Sequence, residues 1–538
     1  MTPRPMYARL GAAVMLLTAA CHPRDEAWDL SLDPLPPVTA GAAMFFVVPA
    51  SARAVVTNLA QPEAAPRQVA VGTDPLLVQA RNDGAAPRGE ALVLSRGARG
   101  DLGVDPEPGS LTAIPSAGAA RRYALGSPFN ALSQTDDGRY AMAYFRPQSA
   151  SGRLLYNPNE VAVVDLDAPP SSTNPTPRTV RSFGGVPNSV VFSPGIEIGG
   201  VSRRFAVVLS DAYVTLLDLD HPARPEVTVR LTLPEDPRAI RPEQVLFDVA
   251  EATIYLRAAA SNDVYVLKLN AVSATDAAQN DYRPTINQLA AGRSPADLAL
   301  IGEAGMRRLL VVSPGSRDAR VIDARANTVT TVPLDAAANR ILLFTGASPS
   351  NPAARAQALL YAVDGVTQAV SFLELTDIDA RRAQNVETLN LGRGVQSALP
   401  LLDRGVVMLG HQTSAGLGQL SLLDLARRTA APIFAEVSLT GAQFDSDRRS
   451  LWIAPRGSNR LGFIDLQTFR PGEIRLDAST ERVVPLRGDA AGRNRVVAVH
   501  EGAGGWISLI DANDPRRASV RSLRGYLLSD LLTPKATP

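Results

Sequence analysis

"NEVAVVDLD" (159–167), "AYVTLLDLD" (212–220), "DARVIDARA" (318–326), "GQLSLLDLA" (418–426), "NRLGFIDLQ" (459–467) and "GWISLIDAN" (505–513) share one form: an aliphatic, β-branched run that stops on an aspartate. Weaker copies lie between them, "VYVLKLN" (264–270) and "AVSFLEL" (369–375), and two earlier ones fit the same frame, "AVVTNLA" (54–60) and "SLTAIPS" (110–116). The aligned residues are Asn58, Pro115, Asp165, Asp218, Lys268, Asp323, Glu374, Asp424, Asp465 and Asp511, spaced 41 to 57 residues apart. Such regularity is the mark of a repeat protein.

Each mark has further short apolar runs around it. About ten residues earlier come "FAVVLS" (205–210), "RLLVVS" (308–313) or "RVVAVH" (495–500), and about ten later "EVTVRLTL" (226–233) or "TVTTVPL" (328–334). A fourth run opens each unit, as in "NSVVFSPG" (188–195). Between units stand Gly- and Pro-containing joints such as "GTDP" (72–75), "GSP" (126–128) and "GRSP" (292–295). Four short strands in about 50 residues, punctuated by turn formers, compose one β-propeller blade. The mark aspartate is expected to close the third strand by accepting amide hydrogens of the following turn. The fold class is therefore all-β: a propeller of four-stranded blades with about ten units over residues 43–534. The first unit reads as lacking an inner strand, since "MFFVVPA" (44–50) is of the second-strand type. The C-terminal "GYLLSDLL" (525–532) is then expected to complete that sheet and close one large ring. The alternatives are two smaller propellers, or seven to eight blades with degenerate units.

Composition narrows the partners. Basic and acidic residues nearly cancel, 54 against 53, which argues against a nucleic-acid binder. All but two of the bases are arginine, a bias consistent with genome composition. The single cysteine, Cys21, excludes an intramolecular disulfide and cysteine-based zinc sites, and the histidines His22, His221, His411 and His500 have no ligand spacing.

At the N-terminus two arginines precede "LGAAVMLLTAA" (10–20), then Cys21. Eleven apolar residues span about 16 Å as a helix, short of a ~30 Å bilayer core, so this is the layout of an export signal. Thr18-Ala19-Ala20-Cys21 resembles the lipobox of bacterial lipoproteins, with Thr in place of the commoner Leu. The resemblance implies a signal peptide over 1–20 and lipidation at Cys21, where two or three acyl chains make a stable membrane anchor. Residues 21–42, with Pro34, Pro36 and Pro37, read as a tether. His22, not Asp, follows the cysteine, which by enteric-type sorting points to the outer membrane of a Gram-negative bacterium. The repeat itself resembles the YVTN-type bacterial propellers through "AVVTN" (54–58), "AYVT" (212–215), "RVID" (320–323) and "ISLID" (507–511). That likeness bears on fold and hardly on function.

Propeller ligands commonly sit at the channel mouth, where inner strands begin. Those starts carry Asn130, Asn188, Arg238, Asp297, Arg340, Gln396, Gln443 and Arg482. They mix signs, contain no histidine and hold one carboxylate, Asp297, so they form a possible binding rim without an acid/base pair. No phosphate loop, dinucleotide fingerprint, H-E-x-x-H or EF-hand sequence occurs, and no cofactor, metal site or catalytic set is legible. Three tryptophans, Trp28, Trp452 and Trp506, are too few for the Trp-rich quinone-dehydrogenase-like propellers. The expected function is a lipid-anchored, non-catalytic scaffold for an envelope protein or glycan. The rivals are a propeller hydrolase or lactonase with a scattered site, and an adhesive or structural surface module.

Overall fold

The computed structural model describes residues 33–82, 88–98, 106–146, 157–181, 186–232, 240–258, 260–273, 276, 278–303, 306–348, 351–376, 386–412, 418–433, 441–455, 457–486, 494–501 and 505–525. Cys21, the signal segment, Arg238 and the C-terminal segment from 526 onward lie outside them. Among the described residues there is no α-helix, and none is therefore long and apolar enough to cross a membrane.

Ten four-stranded antiparallel sheets follow one another along the chain, with one extra hairpin, Ile196–Ile198 with Val201–Arg203, inserted in the fourth. We number them as blades 1 to 10, spanning 38–70, 75–124, 131–179, 187–230, 244–290, 297–333, 340–390, 397–433, 443–475 and 480–524. First strands touch first strands, for example blade 5 with blade 6 and blade 6 with blade 7, so they are the inner ones around the axis. Nine third strands end on the aligned mark residue; Lys268 lies inside a longer strand, Asp263–Ala271. The mark aspartates cap as expected: Asp165, Asp323, Asp424, Asp465 and Asp511 each accept an amide hydrogen from two residues on, at 2.9 or 3.0 Å.

Second and third strands are apolar without alternation because both sheet faces are covered by neighbouring blades. All six residues of Phe205–Ser210 are buried, whereas the outer strand Thr328–Pro333 is mostly exposed. The core is ten clusters, and each joins two consecutive blades. The cluster of Trp452, Leu461, Ile474 and Val496 joins blades 9 and 10. Another unites Met44, Phe46, Val48 and Val55 of blade 1 with Leu486, Val497 and Leu509 of blade 10. Ten seams for ten blades, the last returning to the first, make one closed ring and exclude two smaller propellers.

Closure corrects one expectation. Val38–Ala40, read from sequence as the end of the tether, is the inner strand of blade 1 and pairs with Ala43–Val48. The slot assigned to the C-terminal strand is thus filled, and all four strands of both terminal blades are local in sequence. The ring closes by side-chain packing and a few bonds across the seam, such as Thr39 Oγ1 to the Pro485 carbonyl at 2.9 Å and Arg521 to Glu63 at 2.7 Å.

The blades alternate in kind. On each second strand, consider the residue five beyond the one opposite the mark. In even blades it is Ser95, Ser210, Ser313, His411 and His500; in odd blades it is Val48, Phe145, Ala258, Ala362 and Pro455. In blades 6, 8 and 10 this polar side chain fastens the incoming joint: Ser313 Oγ to the Ala291 carbonyl, His411 Nδ1 to Gly394 and His500 Nδ1 to Ser479, at 2.5, 3.0 and 3.1 Å. In blade 2 Ser95 and Ser110 crowd Gly72 so closely that a Cβ there would lie 2.2 Å from the Ser110 hydroxyl. At this one site the ring thus alternates with a two-blade period.

Arginines fasten the opposite end. Arg81 of blade 2 donates to the Gly138 and Leu166 carbonyls of blade 3, and Arg404 of blade 8 to the matching Arg448 and Leu466 carbonyls of blade 9. Arg495 of blade 10 reaches the matching Leu59 carbonyl of blade 1 at 3.1 Å. A planar guanidinium can serve two carbonyls in fixed geometry where an ammonium cannot, which gives the arginine bias a structural use.

Candidate functional site

The channel mouth is built by the inner strands, whose inner edges carry backbone groups with no further strand to pair with. Neighbouring side chains satisfy part of this edge. Gln79 and Gln134 bond to the Leu132 and Ala80 carbonyls across blades 2 and 3, at 3.3 and 2.9 Å. Polar residues along the inner edge, here at the ends of the inner strands away from the mouth, thus have structural work, because orphaned backbone groups are costly.

Asp297 shows this most fully. Its Oδ1 accepts from Gln244 Nε2 of blade 5 at 2.7 Å, and its Oδ2 accepts from the Ile341 amide of blade 7 at 2.8 Å. One carboxylate on blade 6 therefore ties three consecutive inner strands. Gln244 in turn accepts from Arg257 Nε at 3.0 Å, and Arg257 also binds Glu243 at 2.9 Å. Asn188 donates to Asp211 Oδ1 at 2.9 Å, and Arg241 grips both oxygens of that carboxylate, at 2.7 and 3.1 Å. The Arg241 guanidinium, with help from Asn188, outweighs partial burial and holds the Asp211 carboxyl below the usual carboxylate range.

The remaining rim residues do not converge. The Asn130 side chain is turned to the Arg146 backbone, accepting from its amide at 2.6 Å and donating to its carbonyl at 3.0 Å. Arg340 is exposed and donates to the Asn339 carbonyl at 2.8 Å. Gln396 and Gln443 are exposed on blades 8 and 9, and Arg482 is half-buried beside Glu481 at 3.5 Å. Arg238 lies outside the described residues. Sequence reading missed Asp211 and Arg241. Asp211 sits on the turn between the second and third strands of blade 4, so only the folded hairpin returns it to the inner rim.

Two Ser–His pairs invite a catalytic reading. His411 Nε2 lies 2.7 Å from Ser421 Oγ, and His500 Nε2 lies 2.7 Å from Ser508 Oγ. In both, Nδ1 faces a carbonyl and so carries the hydrogen, leaving Nε2 to accept from the serine. Desolvation by burial pushes the His500 pKa down, outweighing its backbone hydrogen bonds and favouring the neutral ring. The same constellation in two equivalent blades, with all four side chains buried, marks loop anchors; a nucleophile must reach a substrate. Among the described residues no group of three or more His, Cys, Asp or Glu is placed to hold a metal ion.

No protein-family model matches the chain, and no curated protein is similar to it in sequence. Among solved structures it is similar to dihydro-heme d1 dehydrogenase NirN in complex with DHE, at 12% identity and a TM-score of 0.38, over 97% of this chain and 84% of that one. It is similar to Kuenenia stuttgartiensis hydrazine synthase at 14% identity and a TM-score of 0.31, over 60% and 92% of the two chains. The corresponding values for apo AztD from Citrobacter koseri are 14%, 0.30, 62% and 83%. At such identities and scores these likenesses carry nothing about function, and the fold rests on the sheet order and the seams.

Proposed function

We propose that this chain is a lipid-anchored envelope scaffold whose ten-bladed ring binds a protein or glycan without transforming it. One observation carries the reading: the carboxylates Asp211, Glu243 and Asp297 at the mouth each already serve an arginine, an amide or both. A general base needs a carboxylate that can take a proton from a substrate, and these are spent on holding strands. Exposed side chains on the same rigid frame, Arg340 and Gln443 among them, suit surface contact instead. The lipobox-like Thr18–Cys21, in a chain with no other thiol, supports the anchor, and His22 rather than Asp after the cysteine supports an outer-membrane address.

Cross-linking in intact cells, followed by identification of what co-purifies, tests the binding role; a specific envelope protein or glycan is expected. Enzyme-like turnover of a lactone, phosphoester or glycoside, abolished by an inner-strand substitution, would refute it. Acyl labelling is expected to vanish completely in Cys21→Ser, and persistent labelling would remove the anchor from the account.

A further inference from the structure

At the seam where blade 10 meets blade 1, on the end of the ring that carries the arginine clamps, lies a pocket of about 360 Å³ lined by Glu63, Arg495, Leu509, Asp511 and Arg521 among others. The molecule contains its own comparison for this pocket. Strand pairing makes blade 2 superimpose on blade 10 in register: Glu90 stands opposite Pro115 as Arg495 stands opposite Asp511, and Arg121 is opposite Ala113 as Arg521 is opposite Leu509. At the seam of blades 2 and 3 the centre is a carboxylate. Glu90, with only 5% of its side chain exposed, is held by Arg81 at 2.6 Å and by Arg121 at 2.8 and 3.0 Å. Arg121 also reaches the Leu166 carbonyl at 2.6 Å. At the seam of blades 10 and 1 the Glu90 position is Arg495, bonded to the matching Leu59 carbonyl, and the Arg121 position is Arg521. Two guanidiniums thus flank a cavity where the sister seam has an internal carboxylate.

We infer that this pocket takes a small α-amino carboxylate, of the size of a free amino acid or dipeptide, with its carboxylate on Arg521 and Arg495 and its ammonium toward Asp511. The volume suits about a dozen non-hydrogen atoms, at roughly 30 Å³ for each water-sized group. Glu63 occupies Arg521 from the rim, and its side chain is 65% exposed, so an incoming carboxylate can displace it into solvent. With Glu63 displaced the lining holds two cations and Asp511, so a zwitterion keeps a partner for its ammonium that a plain anion cannot use.

Titration calorimetry of the full chain in detergent, with alanylalanine as probe and propionate and alaninamide as controls, tests this. Alanylalanine is expected to bind saturably with a Kd below about 1 mM, and both controls at least tenfold more weakly. Arg521→Ala, at a half-exposed position, is expected to weaken the dipeptide tenfold or more, while Glu63→Ala tightens it by releasing Arg521. These opposite signs separate a ligand contact from loss of a seam ion pair, which both variants remove. No saturable heat with the wild type, equal binding by propionate, or unchanged affinity in Arg521→Ala would overturn the assignment.

Discussion

Alanine at Arg203 is expected to destabilise the ring by about 3 kcal/mol, read as a fall in the urea midpoint at unchanged slope. Arg203 is the most enclosed cation of the seam between blades 4 and 5, with 3% of its side chain exposed. It bonds Asp218, itself 1% exposed, at 2.9 Å, and also reaches Asp281 of blade 5. Removing the guanidinium leaves Asp218 with the turn amides of Asp220 and His221 on Oδ1, at 3.0 and 3.1 Å, and only weak company on Oδ2: His221 Nδ1 at 3.3 Å and Arg224 at 3.8 Å. Those survivors set the effect at the lower end of the range for breaking a buried pair. Neutralising both partners removes the stranded charge, so Arg203→Met with Asp218→Asn, which keeps the turn acceptor, is expected to recover part of the loss. A double variant no better than Arg203→Ala would show that packing, not charge, sets the cost.

Trp452→Ala is expected to cost about 4 kcal/mol, the figure for emptying a large aromatic site in a closed core. The indole is fully buried between blades 9 and 10, 5.2 Å from the Phe463 ring, and donates from Nε1 to Ser450 Oγ at 2.7 Å. Neighbours cannot collapse into the space, because both blades are also fixed by the Asp445 carboxylate, which binds Ser450 at 2.9 Å and Asn494 of blade 10 at 2.8 Å. Trp452→Phe keeps most of the volume and is expected to lose less than half as much. Equal losses from Phe and Ala would place the stabilisation in the indole hydrogen bond rather than in the filled seam.

Much of this architecture is legible because many blades end the third strand on a turn that wants the same acceptor. Asp165, Asp424 and Asp511 serve identical local geometry, so selection for the turn writes a 50-residue pitch into the sequence. What escapes reading depends on register. The two-blade period lives at one site per blade, and Ser95, Ser313 and His500 become equivalent only when strands are paired. Val38–Ala40 hides because three residues beside Pro36 and Pro37 carry too little alternation to announce a strand. The rim partner Asp211 hides because a hairpin turn, not chain proximity, brings it to Asn188. Arg81 and Arg404 look like ordinary surface arginines until the carbonyls they reach in the next blade are known. Strand position alone singles out Asp297; its role as a brace across three inner strands emerges only in the fold.

Ten blades form one ring whose first and last blades touch. The chain's lack of any cysteine but Cys21 makes that contact directly measurable. In a Cys21→Ser background, cysteines at Glu63 and Arg521, whose side chains meet at 2.7 Å, are to be treated with a short bismaleimide. One ring predicts rapid intramolecular linkage at low protein concentration, seen as a shifted monomer band. Two smaller propellers, or an open array, would leave the pair unlinked or joined only between molecules, and that result would contradict the account.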